Sequence, residues 1–285
     1  MIIPLTPHPA ALVKTEKTRT LVVVDLHIGW EIALSERGIH VPTQTPKLMQ
    51  KLKTLIKNYK PERLLILGDV KHTVAKAEIS EWHDIPDFFN ELKTHIEEIQ
   101  IIRGNHDGNL EPLLPEGIKI LQSSGIIIGE VGLFHGHRWP SPNLLKCKTL
   151  VMGHVHPVIA FRDPAGFRIT RQVWVKAKCD KNQLAEILLQ KHKIKIEKNP
   201  QKTLLKHYKI NPKTSQLFIM PSFNEFLGGK PLNEKSGGKT AKTDKVVGPI
   251  LRTEAVDMKN AEVYLLDGTF LGSLSQLEIL AEHKT

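Results

Sequence analysis

Disulfide cross-links have almost nothing to be built from. The 285 residues include two cysteines, Cys147 and Cys179, so no disulfide framework is expected and each reads as a small packed residue. No apolar run approaches the roughly 18 residues of a membrane span, so no membrane partner is expected. The opening residues, MIIPLTPHPAALVKTEK, lack the apolar core and cleavage site of a signal peptide, which makes the cytoplasm the expected compartment. There is no internal repeat. The stretch GGKT at 237–240 fails as a phosphate-binding loop, because the glycine needed five positions before Gly238 is Asn233. Acidic residues are scarce in one place: residues 181–245 hold 14 Lys/Arg against 5 Asp/Glu, whereas residues 1–180 hold 23 against 19. Most of the net charge of +10 therefore sits in that segment. It is either a solvated lysine-rich surface or a face that draws a polyanion, nucleic acid included, by steering and phosphate contacts. Aromatics are only 6% of the chain and are not interleaved with those lysines, unlike a stacking platform for single strands.

The composition, 40% hydrophobic and 25% charged, is that of a globular protein. Apolar runs of strand length recur at LVVV (21–24), LLIL (64–67), IQII (99–102), GIIIG (125–129), VGLF (131–134) and TLVM (149–152). Leu48, Leu52, Leu55 and Ile56 have helical spacing, and a second amphipathic stretch runs from about Trp82 to Ile96. Strand, helix, strand, helix, strand implies a parallel start. After residue 125 the strands crowd together, joined by GEVG (129–132) and DPAG (163–166), and an antiparallel meander is expected. Residues 228–245, rich in Gly and Lys, read as a loop or linker. VVGPIL (246–251) and AEVYLLDGTFLG (261–272) read as closing strands. The expectation is an α/β fold, with a mixed sheet or two stacked sheets flanked by helices.

LVVVDLHIGW raises the chemical question: a buried strand delivers Asp25 and His27, two residues a core does not want. On their own they can be an ordinary strand exit, with Asp25 capping a helix and His27 solvated. The other strands decide otherwise. LLIL is followed by Gly68, Asp69 and His72, and IQII by Arg103, Gly104, Asn105, His106 and Asp107. VGLF is followed by His135, Gly136 and His137, and TLVM by Gly153, His154 and His156. Seven of the 14 histidines lie at these exits. Groups at the carboxyl ends of neighbouring strands converge on one crevice. Asp, Asn and His suit Mn, Fe or Zn rather than Ca. Eight or so such groups are too many for one tetrahedral ion and enough for two sharing a carboxylate. Two ions about 3.5–4 Å apart can activate a hydroxide and clamp phosphate oxygens.

In order and rough spacing, Asp25-x-His27, Gly68-Asp69-x-x-His72, Gly104-Asn105-His106-Asp107, His135-Gly136-His137 and Gly153-His154-x-His156 resemble the five motifs of the calcineurin-like metallophosphoesterases. GDVKHT (68–73), ERGIHVP (36–42) and MPSFNEFLGG (220–229) are similar to a narrower branch, the archaeal SbcD-related phosphoesterases and their bacterial DNA-ligase-associated relatives. The resemblance implies a four-layer α/β/β/α sandwich with mixed sheets and a small C-terminal extension. It places a catalytic core at 1–180 and a basic segment with closing strands, packed on that core, at 181–285. It implies a hydrolase of phosphodiesters, acting on nucleic acid or nucleotides, with two divalent ions, Mn first and Zn, Fe or Mg as alternatives. One ion would be held by Asp25, His27, Asp69 and His156, the other by Asp69, Asn105, His135 and His154. A metal-bridging hydroxide would attack phosphorus, His106 would protonate the leaving oxygen, and Asp107 would orient His106. His72 would be supporting or touch phosphate, and His137 is the alternative to His135 as ligand. Arg103 and Arg138 would steady a substrate phosphate. Trp30, Trp82, Trp139 and Trp174 read as packing residues. The rival reading, a silent scaffold of the same fold that binds a protein partner, predicts damaged motifs, and here every position is filled.

Overall fold

The computed structural model describes residues 1–74, 78–163, 165–197, 199–234 and 248–282. In chain order, β1 (Ile2–Pro4), β2 (Ala11–Lys14) and β3 (Arg19–Val23) lead to α1 (Trp30–Ser35) and α2 (Thr45–Tyr59). Then come β4 (Arg63–Ile66), α3 (Ile79–Lys93), β5 (Glu98–Ile102) and β6 (Lys119–Leu121). These strands form one sheet in the order β1-β2-β3-β4-β5-β6, parallel from β3 to β6. The second half supplies β7 (Ile126–Ile128), β8 (Val131–Phe134), β9 (Thr149–Met152), β10 (Val158–Arg162) and β11 (Arg168–Cys179). After them run α4 (Lys181–Lys191), α5 (Pro200–Tyr208), β12 (Gln216–Ile219), β13 (Val256–Leu265), β14 (Phe270–Ser273) and α6 (Leu274–Glu282). The second sheet has the order β14-β13-β11-β12-β9-β8-β7, with β10 paired to β11.

Period-two alternation inside continuous apolar runs builds the layers. Leu21, Val23, Leu64 and Ile66 face α2 and α3, where they meet Leu48, Leu52, Leu55, Ile85 and Phe89. Val22, Val24, Leu65 and Leu67 face the other way, onto Leu133, Val151, Trp174, Phe218 and Met220 of the second sheet. The outer face of that sheet, Val173, Val175, Leu217 and Ile219, packs on Leu184 and Leu188 of α4, Leu204 of α5 and Leu277 of α6. The result is helix, sheet, sheet, helix. The elements after β11 are woven into this sandwich: β12 lies between β9 and β11, and α4, α5 and α6 cover the outer face.

Two local expectations are corrected and a third is sharpened. The region after 125 is not a pure meander, because β8, β9 and β12 pair in parallel. Parallel partners need long crossovers, which local turn signals do not reveal. Within 246–251, Val246 and Val247 lie outside the described residues, and Ile250–Arg252 is a 3₁₀ turn beginning after Pro249. The part of the expected linker that is described, 228–234, is pinned. Asn233 exchanges two 2.9 Å hydrogen bonds with the backbone of Ala160, and Glu234 pairs with Arg168 at 2.8 Å. Residues 235–245, including GGKT, lie outside the described residues. Of the tryptophans, Trp174 is buried against Phe218, Trp30 stacks on Phe226, Trp139 sits under the Lys191 ammonium, and Trp82 is exposed.

Candidate metal centre

Among the described residues, five of the nine non-glycine residues with positive φ lie at strand exits: Asp25 (54°), His27 (45°), Asp69 (51°), His154 (70°) and His156 (46°). Left-handed backbone at side chains of this kind is strain that the surrounding fold must hold. Backbone pairing supplies the hold. The β3 and β4 exits run side by side, with Asp25 N–H donating to Gly68 O (3.2 Å), His27 N–H to Asp69 O (2.9 Å) and Ile28 N–H to Val70 O (2.8 Å). Each central carboxylate also accepts from a neighbouring exit: His154 N–H donates to Asp25 Oδ2 and His106 N–H to Asp69 Oδ1, at 2.9 and 2.8 Å.

The remaining oxygens face imidazoles. Asp69 Oδ2 lies 3.5 Å from His27 Nε2 and 3.2 Å from His135 Nε2, between two groups. In one, ligand atoms of Asp25, His27 and His156 lie within 4.8 Å of one another; in the other, those of Asp69, His135 and His154 do. Asn105 Oδ1 is 3.1 Å from His135 Nε2, which brings Asn105 to the second group. A third group joins His27, His72 and His106. His135 Nδ1–H donates to Leu67 O at 2.6 Å, which turns Nε2 toward Asp69.

The charges are tightly coupled. Burial raises the pKa of Asp25 and Asp69, but the imidazoles of His156 and His135 respectively hold both below the ordinary carboxylate value. Burial lowers the pKa of His135, yet the hydrogen bond and charge of Asp69 lift it to about 9. Burial keeps His27 neutral down to about 3 and His154 down to about 4. Asp25 Oδ1 and His27 Nε2 are buried and have no hydrogen-bond partner. Buried polar atoms left unsatisfied among oxygen and nitrogen donors fit a divalent cation. The glycines fit too. A Cβ on Gly68 would lie 2.6 Å from His135 Nδ1, and one on Gly104 would overlap Asp69.

The profile of the calcineurin-like phosphoesterases matches residues 18–233. The chain belongs to that family. Its members are metal-dependent, and membership makes this protein a phosphoester hydrolase. Among solved structures, the Pseudomonas putida nuclease MPE is similar over 95% of this chain and 100% of its own, at 19% identity and a TM-score of 0.50, so the two share a fold. The phosphoesterase YfcE from E. coli aligns over 50% of this chain and 73% of its own, at 20% identity and a TM-score of 0.33. Vps29 from Entamoeba histolytica, complexed with zinc, aligns over 53% and 71%, at 18% and 0.26. No curated protein matches the sequence.

Measured against the five calcineurin-like motifs, Asp25, His27, Asp69, Asn105, His135, His154 and His156 are brought together. His135 and not His137 reaches Asp69 Oδ2; His137 stands behind it, 5.1 Å from ring to ring, and burial lowers its pKa to about 4. Arg103 pairs with Glu111, and Arg138 is exposed. Asp107 differs from expectation. Its fully buried carboxylate accepts three backbone amides, Asp69 (2.8 Å) and Gly104 (2.7 Å) on Oδ2 and Val70 (2.8 Å) on Oδ1. The His106 ring turns elsewhere: its Nδ1 bonds to the carbonyl of His72. Asp107 ties the two loops together; His72 holds His106.

Two positioning groups escaped the sequence reading. Asn224, completely buried, donates from Nδ2 to Leu26 O (3.1 Å), in the middle of Asp25-Leu26-His27. Glu81, also buried, grips the backbone at residues 72 and 73. The segment MPSFNEFLGG was the signal for the first; for the second, only a Glu three residues after Glu78 hinted at a capping box.

Proposed function

We propose that the protein is a dinuclear phosphodiesterase of the SbcD-related and ligase-associated branch, acting on nucleic acid with Mn as the preferred ion. The observation that carries the dinuclear reading is Asp69 Oδ2 standing between the two donor groups. Asp25, His27, Asp69 and His156 would hold one ion, and Asp69, Asn105, His135 and His154 the other. When bound, the ions polarise the phosphoryl group and lower the pKa of the attacking water. The chain's own residues do the rest. Ring nitrogens turned by backbone bonds, as in His135, fix ligand orientation. His106, held through Nδ1, presents Nε2 to protonate the leaving oxygen. Residues 1–180 carry this machinery, while β12, β13 and β14 complete the second sheet and the 181–245 sequence brings the excess of lysine. No Ser or Cys nucleophile is called for.

Nucleic acid as substrate is supported by the basic 181–245 segment and by the diester chemistry such a centre suits. The test is cleavage of end-labelled single-stranded and duplex DNA and RNA by Mn-loaded protein across a salt series. A binding slope in log salt that corresponds to several phosphate contacts supports the reading. A slope near zero, with intact turnover of small diesters, moves the substrate to nucleotides.

A further inference from the structure

Glu81 lies in the first turn of α3 and is 1% exposed, and it has more partners than a helix cap requires. Oε2 accepts from Glu78 N–H at 3.0 Å, closing the capping box, and from the hydroxyl of Thr73. Oε1 accepts from His72 N–H (3.0 Å) and Thr73 N–H (2.9 Å). Three of the four donors thus belong to a different segment, the loop after β4. The fully buried Lys71 grips the same loop from the other side, donating to Thr73 O. Residue 72 is where two site groups are tied. Its carbonyl accepts from His106 Nδ1, and its own Nδ1 lies 3.3 Å from His27 Nδ1. A carbonyl has only lone pairs to offer, so it selects the Nδ1–H form of His106.

We infer that Glu81 is a positioning residue for proton transfer: by fixing the backbone of residues 72 and 73, it holds the His72 carbonyl where it keeps His106 in a single tautomer and orientation. The inference rests on the reading of His106 as the general acid. A carboxylate is suited to this work because all its oxygen lone pairs accept, and every partner is a donor. An amide at position 81 turns an NH₂ group toward amide N–H groups and loosens the loop.

The experiment compares Mn-loaded wild type, Glu81→Gln, Thr73→Val and His106→Ala on two diesters, one with an activated nitrophenyl leaving group and one with an alkoxide leaving group. Metal content is measured for each, and ¹⁵N spectra of the imidazoles are taken on metal-free protein, with His106→Ala identifying the His106 signals. Glu81→Gln is expected to lose about ten-fold more kcat on the alkoxide ester than on the activated one, part of the 10²–10⁴ a general acid contributes, with KM and metal content unchanged. The His106 ring signals should move from one tautomer to a mixture. Thr73→Val removes one of the four bonds and should show the same pattern more weakly; it decides the matter if Glu81→Gln does not fold. Selective loss in His106→Ala without it in the Glu81 or Thr73 variants overturns the inference. Equal losses on both esters accompanied by lost metal also overturn it, leaving Glu81 a helix cap. No leaving-group selectivity in His106→Ala removes the general-acid reading itself.

Discussion

Replacing Asp107 with Asn separates two roles that the sequence alone confuses. The carboxylate is completely buried and accepts from Asp69, Val70 and Gly104 amides at 2.7–2.8 Å. With its oxygen kept toward Asp69 and Gly104, Asn still turns an NH₂ toward the Val70 N–H. One charge-assisted bond is lost, worth about 1.5–3 kcal/mol, and one buried donor is left unsatisfied at about 1–3 kcal/mol. The sum is about 4 kcal/mol, which lowers the melting temperature by roughly 8–16 °C. Because two of the three amides belong to Asp69 and its neighbour Val70, metal affinity should also fall, about 10–100-fold as for other groups behind a ligand. Calorimetry on the metal-free protein and Mn titration of Asp107→Asn read both quantities, and kcat should fall alike on activated and alkoxide esters. A variant with normal melting and metal affinity but a selective loss on the alkoxide ester would refute the backbone-clamp argument and return Asp107 to the ring of His106.

Gly104→Ala puts a Cβ into the Asp69 carboxylate and its amide; at least about ten-fold weaker Mn binding is expected by isothermal titration, with circular dichroism unchanged. Asn224→Ala leaves the buried Leu26 carbonyl without its 3.1 Å donor; about 1–3 kcal/mol of stability should go in chemical denaturation, together with Mn affinity. In the metal-free protein, His27, His137 and His154 have pKa values lowered from 6.5 to about 3, 4 and 4. The unfolded chain binds more protons than the fold below 6.5, so their contribution is complete above 6.5 and lost as pH falls through 4. His135, raised to about 9, contributes fully below 6.5 and loses that contribution as pH climbs through 9. Melting scans from pH 4 to 10 should therefore peak near neutrality; stability rising steadily toward pH 4 would contradict these directions.

The strands at 21–24, 64–67, 99–102, 131–134 and 149–152 were legible because strands buried on both faces need unbroken apolar runs, and α2 because its buried residues keep helical spacing. The convergence of Asp25, Asp69, His135 and His156 was legible because residue types alien to a core followed each run. Sheet order was not. The insertion of β12 between β9 and β11 depends on pairings 38 to 67 residues apart in sequence, as in Lys178 with Gln216 and Gln216 with Thr149, which leave no local mark. Roles exerted through the backbone were equally hidden: Asn224 acts on Leu26 across 198 residues, and Glu81 on residue 72 across nine. Asp107 was found but misread, since a carboxylate next to His106 suggests a side-chain contact while the chain uses it to accept amides.

The central claim is that two ions share Asp69. It is tested most directly by titrating Mn into metal-stripped protein while following both heat of binding and hydrolysis of a nitrophenyl phosphodiester. Binding that saturates at two ions per chain, with activity absent in the stripped protein and reaching its plateau only with the second ion, is the predicted result. Binding that saturates at one ion per chain, or full activity at a single equivalent, would contradict it.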